Sequence, residues 1–147
     1  METIPIDYID ADEAWRERIR QVWGETAANH MHLDNGFSIL ALVKNDPAGL
    51  ISVNWQLLPA PLASTYEAFI DIIEVATSFR RRGIASQLVK IAVERARQRG
   101  VYQLRAWSSD DKVEAIPLWQ ALGFGLCPAS TYPAGKKVDG YFAVRVL

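Results

Sequence analysis

Residues 67–76 (EAFIDIIEVA) are apolar at positions that would face both sides of a β-strand, a pattern typical of a central strand covered on two sides. The stretch at 80–83 (RRRG) is basic and ends in glycine, and residues 84–99 then repeat apolar side chains with helical spacing. A buried strand that passes through a short loop into a long helix requires helices and a sheet packed in layers. This segment therefore predicts a layered domain that contains both element types.

The composition favours one globular domain over residues 1–147. Half of the residues (50%) are hydrophobic and 22% are charged, which excludes a disordered chain. A formal net charge of −1 gives no overall field that would attract nucleic acid or a membrane surface, so neither is predicted as a partner. The single cysteine, Cys127, excludes an internal disulfide framework and a cysteine-built zinc site.

The amino terminus, METIPIDYIDADE, carries acidic residues where a signal peptide carries positive charge followed by an apolar run. No stretch of the sequence approaches the roughly 18 apolar residues of a membrane span. We therefore expect a cytoplasmic protein.

Turn residues separate the remaining elements, and apolar periodicity assigns their type. Strands are predicted at 4–8, 37–43, 50–58, 67–76, 102–107 and 141–147, with a hairpin turn at 45–49 and one further strand after the last helix. Helices are predicted at 10–23, 84–99 and about 112–122, and residues 25–35 are either a loop or a short second helix. Pro117 fits the last helix only if that helix begins near residue 112 or 113. This order predicts an α+β domain of three layers around a mixed sheet.

The loop at 80–83 has the properties of an anion-binding site. The first N–H groups of the following helix have no intrahelical acceptor, and the helix dipole adds about half a positive charge there. Gly83 permits close approach of a ligand, Ala85 is small, and the arginines at 80–82 add positive charge. These residues suit a pyrophosphate, and the alternative is a solvated charge run beside a turn. Neither G-x-x-x-x-G-K-[ST] nor G-x-G-x-x-G is present, which disfavours a nucleoside-triphosphate or dinucleotide site.

Two motifs carry a resemblance to a known family. Val75 followed by RRRGIA at 80–85 resembles motif A of the GNAT acetyltransferase superfamily, [QR]-x-x-G-x-[GA] after an apolar strand. AIPLWQALGF at 115–124 resembles its motif B, N-x-x-A-x-x-L-Y-x-x-x-G-F. Because both motifs occur in order, joined by a predicted helix, strand and helix, the chain is identified as a member over nearly its whole length.

The resemblance implies a mostly antiparallel central sheet with splayed middle strands, and acetyl-CoA bound in the gap between them. The backbone around Ile73 and Val75 would pair with the pantetheine arm, and N–H groups from Arg81 to Ser86 would hold the pyrophosphate. A backbone N–H near Val75 would polarise the acetyl carbonyl. No metal is implied. The residues implied to bind the cofactor are Ile73, Val75, Arg80, Arg81, Arg82, Gly83, Ile84, Ala85, Ser86 and Trp119.

In the family that the chain resembles, a carboxylate on the strand before this loop often serves as the base that takes a proton from the amine. Strand alternation places Glu67 and Asp71 on one face, together with Ile73 and Val75. Asp71 is therefore predicted as the base or the anchor of the amine, with Glu67 as the second candidate. Glu74 qualifies only if a β-bulge shifts the alternation. An exposed or ion-paired carboxylate is the alternative for Asp71.

The chain departs from the family pattern at two positions. Trp119 stands where motif B usually has tyrosine, and an indole N–H cannot usefully give up a proton to a departing thiolate. The general acid is then another group, such as Tyr132 or Tyr141, or is absent. Lys112 stands where asparagine is common, and its ammonium either reaches the cofactor or is solvated.

Two histidines, His30 and His32, lie in the ambiguous region after the first helix. On a helix they would not share a face, and no third ligand is near in sequence, so a metal site is not predicted. The resemblance implies that this region closes over the acceptor.

These observations predict an acetyl-CoA-dependent N-acetyltransferase that acts by direct attack of a primary amine, without an acyl-enzyme. A small-molecule acceptor is expected, and a protein or peptide amine is the alternative acceptor. The rival from another class is a non-catalytic CoA-binding or regulatory module of the same fold. A homodimer is compatible with the family, although no segment argues for one.

Overall fold

The computed structural model describes residues 4–147 of the chain. Seven strands lie within these residues: β1 (Asp7–Asp10), β2 (Gly36–Val43), β3 (Asp46–Leu57), β4 (Tyr66–Val75), β5 (Gln103–Ser109), β6 (Gly125–Thr131) and β7 (Val138–Val146). Four α-helices lie between them: α1 (Arg16–Trp23), α2 (Glu25–Asn29), α3 (Ile84–Arg99) and α4 (Ala115–Ala121).

The described strands form one sheet in the order β1-β2-β3-β4-β5-β7-β6. Within it β4 and β5 run parallel, and each of the other neighbouring pairs is antiparallel. This arrangement confirms the predicted mixed, mostly antiparallel sheet. The parallel pair follows from the chain path, because α3 carries the chain from the end of β4 back to the start of β5.

Helices cover both faces of the sheet and define its two cores. On one face, which we call the α1–α2 face, Ile19 of α1 and Ala27 of α2 pack against alternate leucines of β2 and β3, including Leu40 and Leu50. On the other, the α3–α4 face, side chains of α3 and Trp119 of α4 pack against the residues that alternate with those leucines. The predicted three-layer α+β domain is thereby confirmed.

The hairpin between β2 and β3 is tighter than predicted. Lys44 and Asn45 have φ angles of 50° and 67°, and Val43 already pairs with Asp46. Two consecutive residues with positive φ suit a two-residue turn whose twist matches that of the strands. The Asp-Pro-Ala-Gly sequence therefore belongs to β3, and not to a turn at 45–49.

The last helix begins later than residue 112, at Ala115. Pro117 consequently lies in its first turn, where a missing N–H removes no helical hydrogen bond. The region at 25–35 contains a short helix, α2, and the first strand begins at Asp7 and not at residue 4. Across residues 4–147, every helix is too short or too polar to cross a membrane.

Candidate functional site

The parallel pair β4–β5 is joined over a short length only. Its register consists of Ala68 with Leu104, Phe69 with Arg105, and Ile70 with Ala106. Beyond these pairs β4 continues to residue 75 along β3, and β5 continues to residue 109 along β7. The two strands therefore diverge, as the resemblance implied, and no other described strand pairs with the β5-facing edge of residues 71–75.

A β-bulge lies at the start of this divergence. On β3, Val53 is opposite Ile70 and the next residue, Ser52, is opposite Ile72, so Asp71 is the extra residue. A bulge of this kind changes which residues alternate onto each face of a strand. The side chain of Ile70 packs in the core of the α3–α4 face, and beyond the bulge Ile73 packs there.

Because of the bulge, the predicted alternation along β4 is wrong for the residues beyond Ile70. Ile73 and Val75 belong to the α3–α4 face and do not share a face with Asp71, because the phase shifts by one residue at the bulge. Glu74 is opposite Leu50, whose side chain packs on the α1–α2 face, so Glu74 takes that face. Glu74 was a candidate base only if a β-bulge shifted the alternation, and the structure has such a bulge.

A cleft with a volume of about 790 Å³ lies on the α3–α4 face at the divergence of β4 and β5. Its walls are residues 73–75 of β4, most of 79–86, and several residues of 112–119. Every residue predicted to bind the cofactor lines this cleft except Arg82, whose guanidinium lies 5.5 Å from the centre of the Phe79 ring. The structure therefore brings the two sequence motifs together around one cavity.

The amino terminus of α3 opens into the cleft. Gly83 precedes the helix with a φ of 74°, and no side chain among the described residues caps the helix. The first-turn N–H groups are consequently available to an anionic ligand. Arg80, Arg81 and Lys112 line the same cavity, with Glu114 as an acidic member. The cleft can hold a ligand that carries several negative charges.

Trp119 lines the cleft and carries a buried polar atom. Its side chain is 2% exposed and meets the Phe124 ring at 4.8 Å between centroids. The indole Nε1 is buried and has no hydrogen-bond partner among the described residues. Tyr132 is exposed and Tyr141 is buried, and neither belongs to the residues that line the cleft.

Glu67 is fully buried in a network that joins β3, β4 and β5. Its carboxylate accepts hydrogen bonds from Arg105 (Nη2, 2.7 Å), Gln56 (2.9 Å) and Gln103 (2.8 Å). A buried carboxylate that is already satisfied by three side chains offers no oxygen to an amine from solvent. In this geometry Glu67 bonds to other residues of the sheet, and its role as the second candidate base stays a prediction.

Asp71 is paired with a histidine that lies far away in the sequence. Its Oδ2 lies 2.7 Å from Nε2 of His32, and the two side chains are 27% and 26% exposed. The backbone N–H of His32 donates to Ser52 Oγ at 2.7 Å. His30, in contrast, follows α2, and its Nδ1 lies 2.8 Å from the Thr26 carbonyl oxygen of that helix.

Sequence reasoning missed the His32–Asp71 pair because 39 residues separate its members. The signal present was only a histidine beyond the first helix and an acidic residue in a predicted strand. Among residues 4–147 no group of three or more histidine, cysteine, aspartate or glutamate side chains could hold a metal ion.

Beside this pair, the α1–α2 face of the central strands is aromatic. The Arg105 guanidinium lies 5.4 Å from the Phe69 ring and 5.0 Å from the Phe142 ring, and Trp107 meets Phe142 edge to face. Arg105 also forms an ion pair with the buried Glu67. Cation–π contacts and this ion pair together fix the Arg105 side chain on this face.

The sequence model of the Acetyltransferase (GNAT) family matches residues 5–124 of the chain. No curated protein sequence matches the chain.

Solved structures of low sequence identity share the fold. NAA60 of Arabidopsis thaliana in complex with acetyl-CoA has a TM-score of 0.79 at 15% identity, over 97% of this chain and 99% of that chain. The ribosomal-protein-S18-alanine N-acetyltransferase of Escherichia coli has a TM-score of 0.75 at 17% identity, over 97% and 94% of the two chains. A GNAT family acetyltransferase from Elizabethkingia anophelis with acetyl-CoA bound has a TM-score of 0.71 at 18% identity, over 97% and 98%.

Proposed function

Because the chain belongs to the GNAT family of acetyltransferases, we propose that it transfers an acetyl group from acetyl-CoA to a primary amine. The observation that carries the proposal is the cleft that joins the divergence of β4 and β5 to the amino terminus of α3. Two of the structures that share its fold contain acetyl-CoA, which agrees with this ligand.

The residues of the cleft fit a coenzyme A thioester. The unpaired backbone edge at 73–75 is a partner for the amide groups of the pantetheine arm, as an added strand would be. The N–H groups at the start of α3, with Arg80 and Arg81, are donors and charges for the pyrophosphate. Trp119 also lines the cleft, and its indole N–H has no other partner among the described residues.

The bound thioester supplies an activated acetyl group, and the protein positions it and handles protons. Unpaired N–H groups along 73–75 are donors for the carbonyl oxygen as negative charge develops on it. In the transfer, a bond forms between the amine nitrogen and the carbonyl carbon while the carbon–sulfur bond breaks. A thiolate is a fair leaving group, since a simple thiol has a pKa of about 8.5, so no tyrosine at position 119 is required.

The acceptor amine would approach from the α1–α2 face. The cleft occupies the opposite face. The Asp71 carboxylate lies on the acceptor side, and Glu74, which also lines the cleft, takes the acceptor side by its register with Leu50. Negative charge there favours a cationic amine over a neutral one. We propose a small-molecule amine as the acceptor, with a peptide amine as the alternative.

The test is an acceptor screen with acetyl-CoA and the purified chain, in which small amines and short peptides are compared by release of free thiol. We expect thiol release with a subset of the small amines, and a product heavier by one acetyl group. Release with peptides alone would favour the alternative acceptor. Binding of acetyl-CoA without thiol release would favour the non-catalytic module, for which Trp119 in place of tyrosine is the specific observation.

A further inference from the structure

We propose that His32 is the group that takes the proton from the acceptor amine, and that Asp71 is a positioning residue that holds the His32 ring. This inference rests on the proposed function. It assigns the proton transfer to a residue outside both sequence motifs and gives Asp71 an indirect role.

The hydrogen bond between the two side chains determines the tautomer of His32. An ionised carboxylate can only accept, so the Nε2 that lies 2.7 Å from Asp71 Oδ2 carries the proton. The lone pair of the neutral ring is then on Nδ1, which makes no hydrogen bond to another described residue. One Asp71 oxygen, Oδ2, is already bound to His32, and in this proposal the carboxylate acts through the ring and not on the amine directly. The dyad therefore presents imidazole nitrogen, and not carboxylate oxygen, as the base.

The backbone of His32 is anchored independently of Asp71. Its N–H donates to Ser52 Oγ at 2.7 Å, and its carbonyl accepts from Ser38 Oγ at 2.8 Å. The two serine hydroxyls also lie 3.0 Å apart, and both serines are buried. Two buried polar side chains therefore fix the backbone of this one loop residue. A side chain held at both its backbone and its ring has the preorganisation that proton transfer requires.

The dyad lies where the strands begin to diverge. Asp71 is the bulged residue, and it directly follows Ile70, the last residue of β4 that pairs with β5. The His32 ring is therefore at the inner end of the gap in the sheet, on the face opposite the cleft. Its side chain is 26% exposed, so solvent or an amine can reach it.

The charged groups around the ring come from few elements. From β4, Asp71 is the one charged side chain that the described residues place within ion-pair distance of His32. The residue that β3 places against the His32 backbone is an uncharged serine, Ser52. On its own segment the nearest titratable neighbours are His30, which bonds to Thr26, and Asp34. No lysine or arginine is bonded to the ring among the described residues.

The proton balance is simple. An acceptor that binds as an ammonium first loses one proton to solvent, because only the neutral amine has a lone pair for attack. As that nitrogen bonds to the carbonyl carbon it becomes acidic, and a second proton passes to Nδ1 of His32. The resulting imidazolium is stabilised by the Asp71 carboxylate on the other ring nitrogen. His32 returns the proton to solvent, and the departing thiolate takes one from solvent, so that no oxidant or other co-reactant is needed.

The first experiment compares His32→Gln with His30→Gln, using acetyl-CoA and the amine that the wild type turns over fastest in the screen. We expect His32→Gln to lower kcat by about 100-fold or more, the effect of losing a general base, with the KM for acetyl-CoA unchanged. His30→Gln should stay within about twofold of wild type. An unchanged kcat in His32→Gln overturns the role of His32 alone. If the wild type releases no thiol with any of the amines, the proposed function is overturned as well.

A second experiment needs no turnover. Nitrogen NMR of the histidine rings in the free protein, at alkaline pH, should show the wild-type His32 protonated on Nε2. In Asp71→Asn, the amide can donate to Nε2 and move the proton to Nδ1. We expect that tautomer change to accompany a loss of kcat as large as that of His32→Gln, and the double variant to fall no further. A changed tautomer with normal kcat would make the pair merely structural and would overturn the proposal.

Discussion

Ile70 and Ala106 form the last residue pair at which β4 and β5 run side by side, and the bulged Asp71 follows immediately. The end of the parallel ladder and the change of phase along β4 thus coincide. One consequence is that the strand presents Ile73 to the cleft on one face, while Asp71 meets His32 on the other. An acyl group held in the gap would be accessible from both faces of the sheet.

Reversing the charge of Arg80 should weaken cofactor binding more than reversing that of Arg82. Arg80 lines the cleft, whereas the Arg82 guanidinium lies over the Phe79 ring. Hydrogen bonds to charged groups contribute about 1.5–3 kcal/mol, so we expect Arg80→Glu to raise the Kd for acetyl-CoA about tenfold or more. Calorimetric titration measures both variants. Equal effects, or a larger one for Arg82→Glu, would show that the pyrophosphate is held elsewhere.

Gly83 and Gly100, which flank α3, offer a matched pair of substitutions. Both have a left-handed backbone, with φ of 74° and 82°, and a Cβ at either position would meet no atom within 4 Å. Alanine at either site should lower the free energy of unfolding by about 1 kcal/mol through backbone strain. We expect Gly83→Ala alone to weaken acetyl-CoA binding, since only Gly83 lies at the cleft. Loss of binding in Gly100→Ala would attribute the effect to global stability.

Removing the charge of Glu67 should destabilise the protein. Glu67→Gln leaves the Arg105 guanidinium without its carboxylate, and losing one member of a buried pair costs about 3–5 kcal/mol. We expect about 3 kcal/mol in urea unfolding, the low end of this range, because Arg105 remains partly exposed. As the control, Asp10→Asn breaks the exposed pair with Arg95 and should cost less than about 1 kcal/mol. A Glu67→Gln protein of normal stability with lost turnover would support Glu67 as a catalytic candidate.

Trp119→Phe tests the unpartnered indole N–H. If Nε1 donates to the bound thioester, its removal should raise the Kd for acetyl-CoA about threefold to tenfold, as expected for one hydrogen bond. Trp107→Phe is the control, because Trp107 lies on the other face of the sheet and does not line the cleft. Equal affinity for wild type and Trp119→Phe would assign the indole to packing against Phe124.

Features set by local signals could be predicted from the sequence. The helix at 84–99 has the bounds that its apolar periodicity and its flanking glycines indicate. The cleft could also be predicted, because most of its lining residues belong to two short motifs, each continuous in sequence. The turn at Lys44 and Asn45 was harder, because the nearby Asp-Pro and Gly residues are stronger turn signals than the pair that forms the turn.

Features set by contacts between distant segments could not be predicted. The phase of β4 depends on its register with β3, and nothing in residues 66–75 marks Asp71 as the bulged residue. Arg105, the charged partner of Glu67, is 38 residues away, and His32 is 39 residues from Asp71, so the sequence presents these four as separate polar residues. Alternation alone made the two acidic residues equivalent, whereas tertiary packing buries Glu67 beside Arg105 and leaves Asp71 partly exposed beside His32.

Calorimetric titration of the wild-type chain with acetyl-CoA tests most directly whether the cleft binds the coenzyme A thioester. We expect saturable uptake of one molecule per chain, and weaker uptake by Arg80→Glu than by Arg82→Glu. A folded wild-type protein that takes up neither acetyl-CoA nor CoA at millimolar concentration would contradict the account.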